Sequence, residues 1–212
     1  MVDRFRLQAV RAVVGSLAVI AAGCGTESGD SPAGPSPVFA AGTIEIAPAG
    51  AIVGTSVTLE SRHVSDPTGS SRSYFWDFGD GYTAMGGEAI THVYATAGVF
   101  VATVSVNSYY AGSAQAALNI PVRSLTDQWS GDYGRVSITQ DGLNLRGRYL
   151  DDPREGIVLG RVSETGTVTF TITRPGLAPV TFTGTAGPDV MTLVGTANVR
   201  DAGDRPWMLV RD

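Results

Sequence analysis

After residue 42 the chain consists of short runs in which apolar and polar residues alternate, separated by Gly, Asp, Asn and Pro. Alternation with a period of two is typical of β-strands that bury one face. No segment in this part of the sequence has the 3.6-residue period of an amphipathic helix. The pattern therefore predicts an all-β protein, and a turn-rich break near Arg123–Asp127 divides it into two domains.

The first 23 residues differ from the rest. A charge-free apolar run covers Ala12–Gly23, three arginines precede it, and Cys24, the single cysteine of the chain, follows it. This order is typical of a secretory signal. A transmembrane anchor is the weaker alternative, because a helix across a bilayer needs about 20 apolar residues. A plain cleaved signal is the other alternative, but it leaves a lone cysteine without a disulfide partner and without an explanation.

The segment LAVIAAGC resembles a bacterial lipobox, in which a small residue precedes a cysteine that is lipidated and becomes the new N-terminus. Ala21 stands where that motif most often has leucine. The resemblance implies a lipoprotein signal peptide over residues 1–23, fatty acyl chains such as palmitate on Cys24, and a membrane-tethered protein of the bacterial cell envelope, outside the cytoplasm. Gly25, where an aspartate would signal inner-membrane retention, favours the outer membrane. Residues 24–41 are rich in Gly, Ser and Pro and are predicted to be a disordered linker.

Net charge limits the possible partners. The chain has 15 basic and 20 acidic residues, and three of the arginines and Asp3 precede Cys24. The chain from Cys24 onward therefore has 12 basic and 19 acidic residues and a net charge of about −7. Nucleic acids and anionic lipid surfaces are bound through basic clusters, and no such cluster is visible in the sequence. We therefore expect no nucleic-acid partner. The membrane contact is expected through the lipid anchor.

The first domain is predicted over residues 42–123. Its predicted strands are Thr43–Ala47, Ser56–Ser61, Ser73–Phe78, Ala89–Ala95, Val99–Val106 and Ala114–Val122. The sequences WDFGDG at Trp76–Gly81 and THVYATAGVF at Thr91–Phe100 resemble the PKD domain family, with Phe100 in place of the more usual tyrosine. The resemblance implies an immunoglobulin-like β-sandwich. PKD domains serve as spacers or as weak protein- and glycan-binding modules, and they carry no chemistry of their own.

Each residue of this motif has a structural explanation. Gly79 and Gly81 permit the backbone angles of a tight turn, and Asp77 and Asp80 are expected to accept hydrogen bonds from backbone N–H groups there. Trp76 is expected to fill the space between the sheets. The complete set of predicted structural positions is Trp76, Asp77, Phe78, Gly79, Asp80, Gly81, His92, Tyr94 and Gly98. We expect His92 and Tyr94 to hydrogen-bond near the same turn.

A calcium site at Asp77 and Asp80 is the alternative interpretation. Calcium takes six to eight oxygen ligands, and two carboxylates are visible locally, so the structural role is favoured. A catalytic role for His92 is disfavoured further. It needs a positioned nucleophile and an orienting group, and the other histidine, His63, lies in a different predicted loop.

The second domain, residues 124–212, is predicted to be an antiparallel meander forming a small barrel or sandwich. About seven strands are predicted: Asp132–Gln140, Leu143–Leu150, Gly156–Ser163, Thr167–Thr173, Val180–Thr185, Val190–Ala197 and Arg205–Arg211. Asp141-Gly142 between two of them is a strong hairpin signal. The sequence WSGDY at Trp129–Tyr133, the glycines at 147, 160, 184 and 195, and the terminal PWMLVR resemble a lipocalin-like bacterial β-barrel.

That resemblance implies that Trp129 packs across the closed end of the barrel. A ligand in the mouth would contact Arg146, Arg148, Tyr149 and Trp207. In the alternative interpretation the tryptophans are core residues and the arginines are solvated. The alternative is favoured, because the interior of an eight-stranded barrel is only just wide enough for its own side chains.

The sequence predicts a non-catalytic module without a cofactor. It contains no nucleophile–base pair, zinc-ligand spacing or phosphate-binding loop, and the adjacent Asp151 and Asp152 are interpreted as a polar turn. One hypothesis is a binding or spacer module for a protein or polysaccharide of the cell envelope, using the tyrosines of SYYAG, Tyr109 and Tyr110. The other is a small-molecule or lipid carrier that uses the barrel.

Overall fold

The described chain is built from sixteen β-strands. The computed structural model describes residues 38–151, 156–199 and 203–212. Within these ranges no helix is long and apolar enough to cross a membrane. The all-β prediction is therefore confirmed, whereas the predicted signal peptide and Cys24 lie outside the described residues.

The first domain is a sandwich of two sheets. Its strands are β1 (Thr43–Ala47), β2 (Ala51–Ile52), β3 (Ser56–Arg62), β4 (Arg72–Asp77), β5 (Thr83–Gly86), β6 (Ala89–Val93), β7 (Gly98–Ser108) and β8 (Gly112–Arg123). One sheet has the order β1-β3-β6 and the other the order β2-β8-β7-β4-β5. The two short strands β2 and β5 were not among the six predicted from the sequence. Neither has an alternating pattern long enough to be recognised.

Alternation along the strands builds the core between these two sheets. In β3 and β7 every second residue is buried and its neighbours face outward, as the pleat of a half-buried strand requires. Trp76 of β4 is fully buried and belongs to the same core cluster as Leu59 of the other sheet. Val104 of β7, in the same cluster, is its partner on the neighbouring strand of its own sheet. The predicted inter-sheet position of Trp76 is the one observed.

The chain joins this core before β1. Ala40 pairs with Ser65 in an isolated bridge, with backbone hydrogen bonds of 3.0 and 2.9 Å. Phe39 packs on the core, and Ala41 is buried within it. Residues of the predicted linker next to residue 42 thus already contact the sandwich.

The second domain is a closed, entirely antiparallel barrel. Its strands are β9 (Asp127–Gly131), β10 (Gly134–Asp141), β11 (Asn144–Tyr149), β12 (Gly156–Val162), β13 (Thr167–Thr173), β14 (Val180–Ala186), β15 (Thr192–Val199) and β16 (Gly203–Arg211). Each strand pairs with the next, and β16 pairs with β9 to close the ring. The prediction of about seven strands missed β9. That strand contains a single large apolar residue, Trp129, and so shows no alternation.

Aromatic rings fill the barrel interior. Trp207 lies 5.6 Å from Phe182 and 6.0 Å from Phe170 between ring centroids, and all three side chains are almost completely buried. Glycines face these rings: Gly195 is paired with Trp207 and Gly160 with Phe170. A Cβ atom on either glycine would collide with the backbone of the neighbouring strand. Small residues opposite large ones are how narrow barrels accommodate their interior side chains.

The sandwich and the barrel pack against each other within one compact unit. Ile52 of the sandwich is buried in the hydrophobic cluster of the barrel. Gln140 of the barrel donates from Nε2 to the Val53 carbonyl at 2.9 Å and accepts from the Leu125 N–H at 2.7 Å. The Ser56 N–H donates to the Glu164 carbonyl at 2.9 Å. The junction is thus both apolar and hydrogen-bonded.

Gln140 gives a direct test of this junction. We expect Gln140→Ala to lower the free energy of unfolding by about 1–3 kcal/mol, since it leaves partly buried backbone groups without partners. Chemical denaturation of the full chain measures the change. The matched control is Gln115→Ala, which removes one exposed bond to Ser105 and should change the value by less than about 0.5 kcal/mol. If the two substitutions lowered the free energy of unfolding equally, the contribution of the Gln140 hydrogen bonds to the domain junction would be contradicted.

Candidate functional site

The turn after β4 is closed by its own aspartates. Asp77 Oδ1 accepts from the Gly79 N–H at 2.9 Å, and Asp80 Oδ1 accepts from the Tyr82 N–H at 3.1 Å. Gly79 and Gly81 have φ values of 78° and 93°, a left-handed conformation that glycine adopts without steric cost. A Cβ atom on Gly79 would also collide with the backbone of Val101. The WDFGDG sequence is therefore explained by the geometry of this turn.

His92 and Tyr94 connect the other sheet to the same turn. His92 Nε2 lies 2.7 Å from Asp80 Oδ2, and its ring stacks on Phe78 with a centroid distance of 3.9 Å. The Tyr94 hydroxyl donates to the Phe78 carbonyl at 3.1 Å. Burial, together with the nearby Asp80 carboxylate, raises the pKa of Tyr94 to about 12, so its hydroxyl remains a hydrogen-bond donor in alkaline solution as well. These contacts link the two sheets across the sandwich.

The same contacts occupy the oxygens that a cation would need. Hydrogen bonds within the turn and to His92 engage three of the four carboxylate oxygens of Asp77 and Asp80. Among the described residues, no group of three or more His, Cys, Asp or Glu side chains is placed to hold a metal ion. The geometry gives both aspartates a structural role.

A family comparison agrees with this geometry. Residues 36–122 match the family model described as PKD domain. The β-sandwich formed by β1 to β8 is a PKD domain. The matched segment overlaps the predicted domain of residues 42–123 almost completely. The barrel lies outside the match.

Solved structures offer distant similarities. A PKD domain from an M14-like peptidase of a Thermoplasmatales archaeon is 19% identical, with a TM-score of 0.31, and the alignment covers 38% of this chain and 93% of that one. A second structure, described as a carbohydrate-binding module of the β-sandwich superfamily with promiscuous specificity, is 16% identical, with a TM-score of 0.39. That alignment covers 85% of this chain and 86% of the other. No curated protein matches the chain.

Two tyrosines project from the end of the PKD domain remote from the barrel. Tyr109 and Tyr110 form the tip of the β7–β8 hairpin, and 77% and 76% of their surfaces are exposed. Their rings meet edge to face with centroids 4.6 Å apart, a favoured arrangement for aromatic pairs. The other ends of β7 and β8 lie where Gly98 pairs with Val122, next to the barrel junction.

Hydrogen bonds to the carboxylate of Asp66 hold the base of this hairpin tip in place. Asp66, in the loop between β3 and β4, accepts hydrogen bonds from the hydroxyls of Thr68 at 2.6 Å and Ser108 at 2.8 Å. Hydrogen bonds from Thr68, Ser108 and Ser70 outweigh desolvation and lower the pKa of Asp66 from 3.8 to about 2. The Tyr109 N–H also donates to the Ser71 carbonyl at 3.3 Å. The base of the tyrosine tip is thus anchored to a second loop.

The four predicted ligand residues of the barrel are not brought together. Trp207 is buried in the core, and its indole N–H has no hydrogen-bond acceptor among the described residues. Tyr149 faces inward and donates to the Tyr133 carbonyl at 2.9 Å. Arg146 and Arg148 are exposed on the outer wall, because side chains alternate along β11 and the inward-facing positions are those of Leu145 and Tyr149. The four residues therefore do not lie together at the barrel mouth: the tryptophan is a core residue, and both arginines lie on the outer wall.

The sequence analysis missed two features, one in the PKD domain and one on the barrel. The role of Asp66 has no local signal in the sequence, since its partner Ser108 lies 42 residues away. Arg161 was not considered with Arg146 and Arg148, because the three become neighbours only through the pairing of β11 with β12. The alternation within each strand was a usable signal for the outward direction of all three arginines.

The Asp66 network predicts a specific acid dependence. Because the folded pKa is depressed, the stabilisation is present above the unfolded value near 3.8 and is lost as the pH falls towards 2. We expect Asp66→Asn to melt at a lower temperature than the parent at pH 7, and the difference to shrink between pH 4 and pH 2. Thermal unfolding followed by circular dichroism measures both. The exposed Asp132→Asn is the control, and a difference independent of pH would contradict the assignment.

Proposed function

We propose that this chain is a lipid-anchored, non-catalytic binding module of the bacterial cell envelope, which recognises an envelope glycan or protein through Tyr109 and Tyr110. The observation that carries the proposal is the exposed, edge-to-face tyrosine pair at the hairpin tip. Tyrosine combines a large apolar ring with a polar hydroxyl and few rotatable bonds, which is why it is enriched in binding surfaces.

The support beneath the pair strengthens the argument. Side chains that are already positioned lose less conformational entropy on binding. Ser108 directly precedes the pair and is hydrogen-bonded to Asp66, and Ala111 directly follows it and donates to the Ser108 hydroxyl at 3.4 Å. The tip is therefore held on both sides.

The structure does not favour the alternative carrier function. A carrier needs an interior cavity for its ligand, and the described barrel interior is occupied by Trp129, Phe170, Phe182 and Trp207. One surface pocket of about 140 Å³ lies between the sandwich and the barrel, where Ile52 and Thr185 line it, and another of about 310 Å³ lies at the sandwich edge beside Tyr82 and His92.

Substitution of the tyrosine pair tests the binding site. We expect the full chain to be captured saturably by peptidoglycan, by an envelope polysaccharide or by a membrane-protein extract. Tyr109→Ser with Tyr110→Ser should weaken that capture at least about tenfold. The control is Tyr82→Ser, an exposed tyrosine elsewhere on the PKD domain. Capture that is unchanged by the double substitution would show that binding uses another surface.

The proposed lipid anchor on Cys24 is tested separately. Two or more acyl chains give stable membrane anchoring, so we expect the protein to sediment with the membranes of its cell and Cys24→Ser to appear in the soluble or secreted fraction. Mass spectrometry of the N-terminal peptide should detect the acyl modification on Cys24. An unmodified Cys24 in a membrane-bound protein would contradict the lipid anchor and leave the tyrosine site unaffected.

A further inference from the structure

Three arginines lie together on the outer wall of the barrel. Arg146 and Arg148 alternate along β11, with Leu159 and Ile157 of β12 directly opposite them, and Arg161 follows two positions after Leu159. Side chains diagonal to one another across two strands have Cα atoms roughly 7–8 Å apart, which is the relation between Arg146 and Arg161. We call these five residues the arginine face.

This face places three positive charges near one another. Among the described residues none of its three arginines forms an ion pair, whereas Arg62 and Arg135 each contact a carboxylate. Like charges on neighbouring positions of a sheet repel one another. The chain as a whole is acidic, so the cluster does not follow from a basic composition. At physiological salt the screening length is about 8 Å, so more distant acidic residues are screened, whereas Asp141, diagonal to Arg146, is close enough to act on it.

The residues directly opposite the three arginines on β10 and β13 are polar and uncharged, whereas Asp141 lies diagonal to Arg146 and Arg135 lies diagonal to Arg148 across β10 and β11. Thr139 lies opposite Arg146, Ser137 opposite Arg148, and Thr169 opposite Arg161. Between the arginines, Ile157 and Leu159 are 57% and 58% exposed. The surface therefore presents guanidinium groups, hydroxyl groups and a small apolar area on neighbouring strands.

We propose that the arginine face binds a polysaccharide that carries carboxylate groups, of the uronate type. A guanidinium group matches a carboxylate through two parallel hydrogen bonds. The serine and threonine hydroxyls suit the hydroxyls of sugar rings, and the two aliphatic side chains suit their C–H faces. An extended polymer with regularly placed carboxylates can contact all three arginines while lying along the two strands, because the arginines occupy successive levels of the β11–β12 pair. This site is on a different domain from the tyrosine pair and does not depend on it.

Binding to a fluorescent polygalacturonate oligomer tests the proposal, with neutral dextran as the comparison ligand. We expect the full chain to bind polygalacturonate, to bind it more weakly as salt is raised, and to ignore dextran. The triple substitution R146Q, R148Q and R161Q should weaken binding at least about tenfold, since it removes several charge-assisted hydrogen bonds. The matched control, R72Q, R123Q and R205Q, changes the net charge equally and should bind like the parent.

Several results would overturn the proposal. These are the absence of polygalacturonate binding, an equal loss in the two triple variants, or equal binding to dextran. Arginine-dependent binding to phosphatidylglycerol vesicles without binding to polygalacturonate would replace it with a membrane-docking surface. Circular dichroism establishes that the triple variant is folded. Tyr109→Ser with Tyr110→Ser should leave polygalacturonate binding intact, so failure of the tyrosine site and failure of the arginine face are distinguishable.

Discussion

Closure of the barrel by the pairing of β16 with β9 is the constraint on which the rest of the structure depends. The pairing places Arg211 opposite Trp129, and the Arg211 guanidinium carbon lies 4.9 Å from the centroid of the indole ring. Arg211 also donates to the Ser124 carbonyl at 2.6 Å, in the segment that joins the two domains. The strands that close the barrel thus also hold the segment that connects it to the PKD domain. A sheet closed in this way has no free edge for pairing with another chain.

The two proposed binding surfaces differ in how they are supported. The tyrosine pair sits on a turn, and it needs the Asp66 network and the contact with Ser71 to hold its position. The arginine face sits on paired strands of a closed barrel and needs no additional support. Because the tyrosine pair lies at the PKD end remote from the barrel, the surfaces are well separated. Two weak sites on one chain can together retain a polymeric ligand more strongly than either site alone, provided that the ligand spans both.

Much of the PKD domain could be predicted because its information is local. The residues from Trp76 to Gly81 define a turn within six positions, and His92 and Tyr94 contact it directly. The barrel was predictable as a class from alternation and hairpin signals, but β9 was not, because one tryptophan in a short strand makes no pattern. The domain junction was not predictable either. Gln140 looks like any polar residue of a strand, and its partner Val53 lies 87 residues away in the sequence.

Pairing of glycines with aromatic rings inside the barrel has a consequence for how such a sequence can change over time. A Cβ atom on Gly160 would meet the backbone of Thr169 and Phe170, and one on Gly195 would meet the backbone of Thr183 and Gly184. The close approach at both positions is to the backbone of a neighbouring strand, and a smaller ring does not relieve it. A relative that shrinks Phe170 or Trp207 therefore gains no room for a larger residue at either glycine. The two glycines should persist while the size of the rings that face them varies.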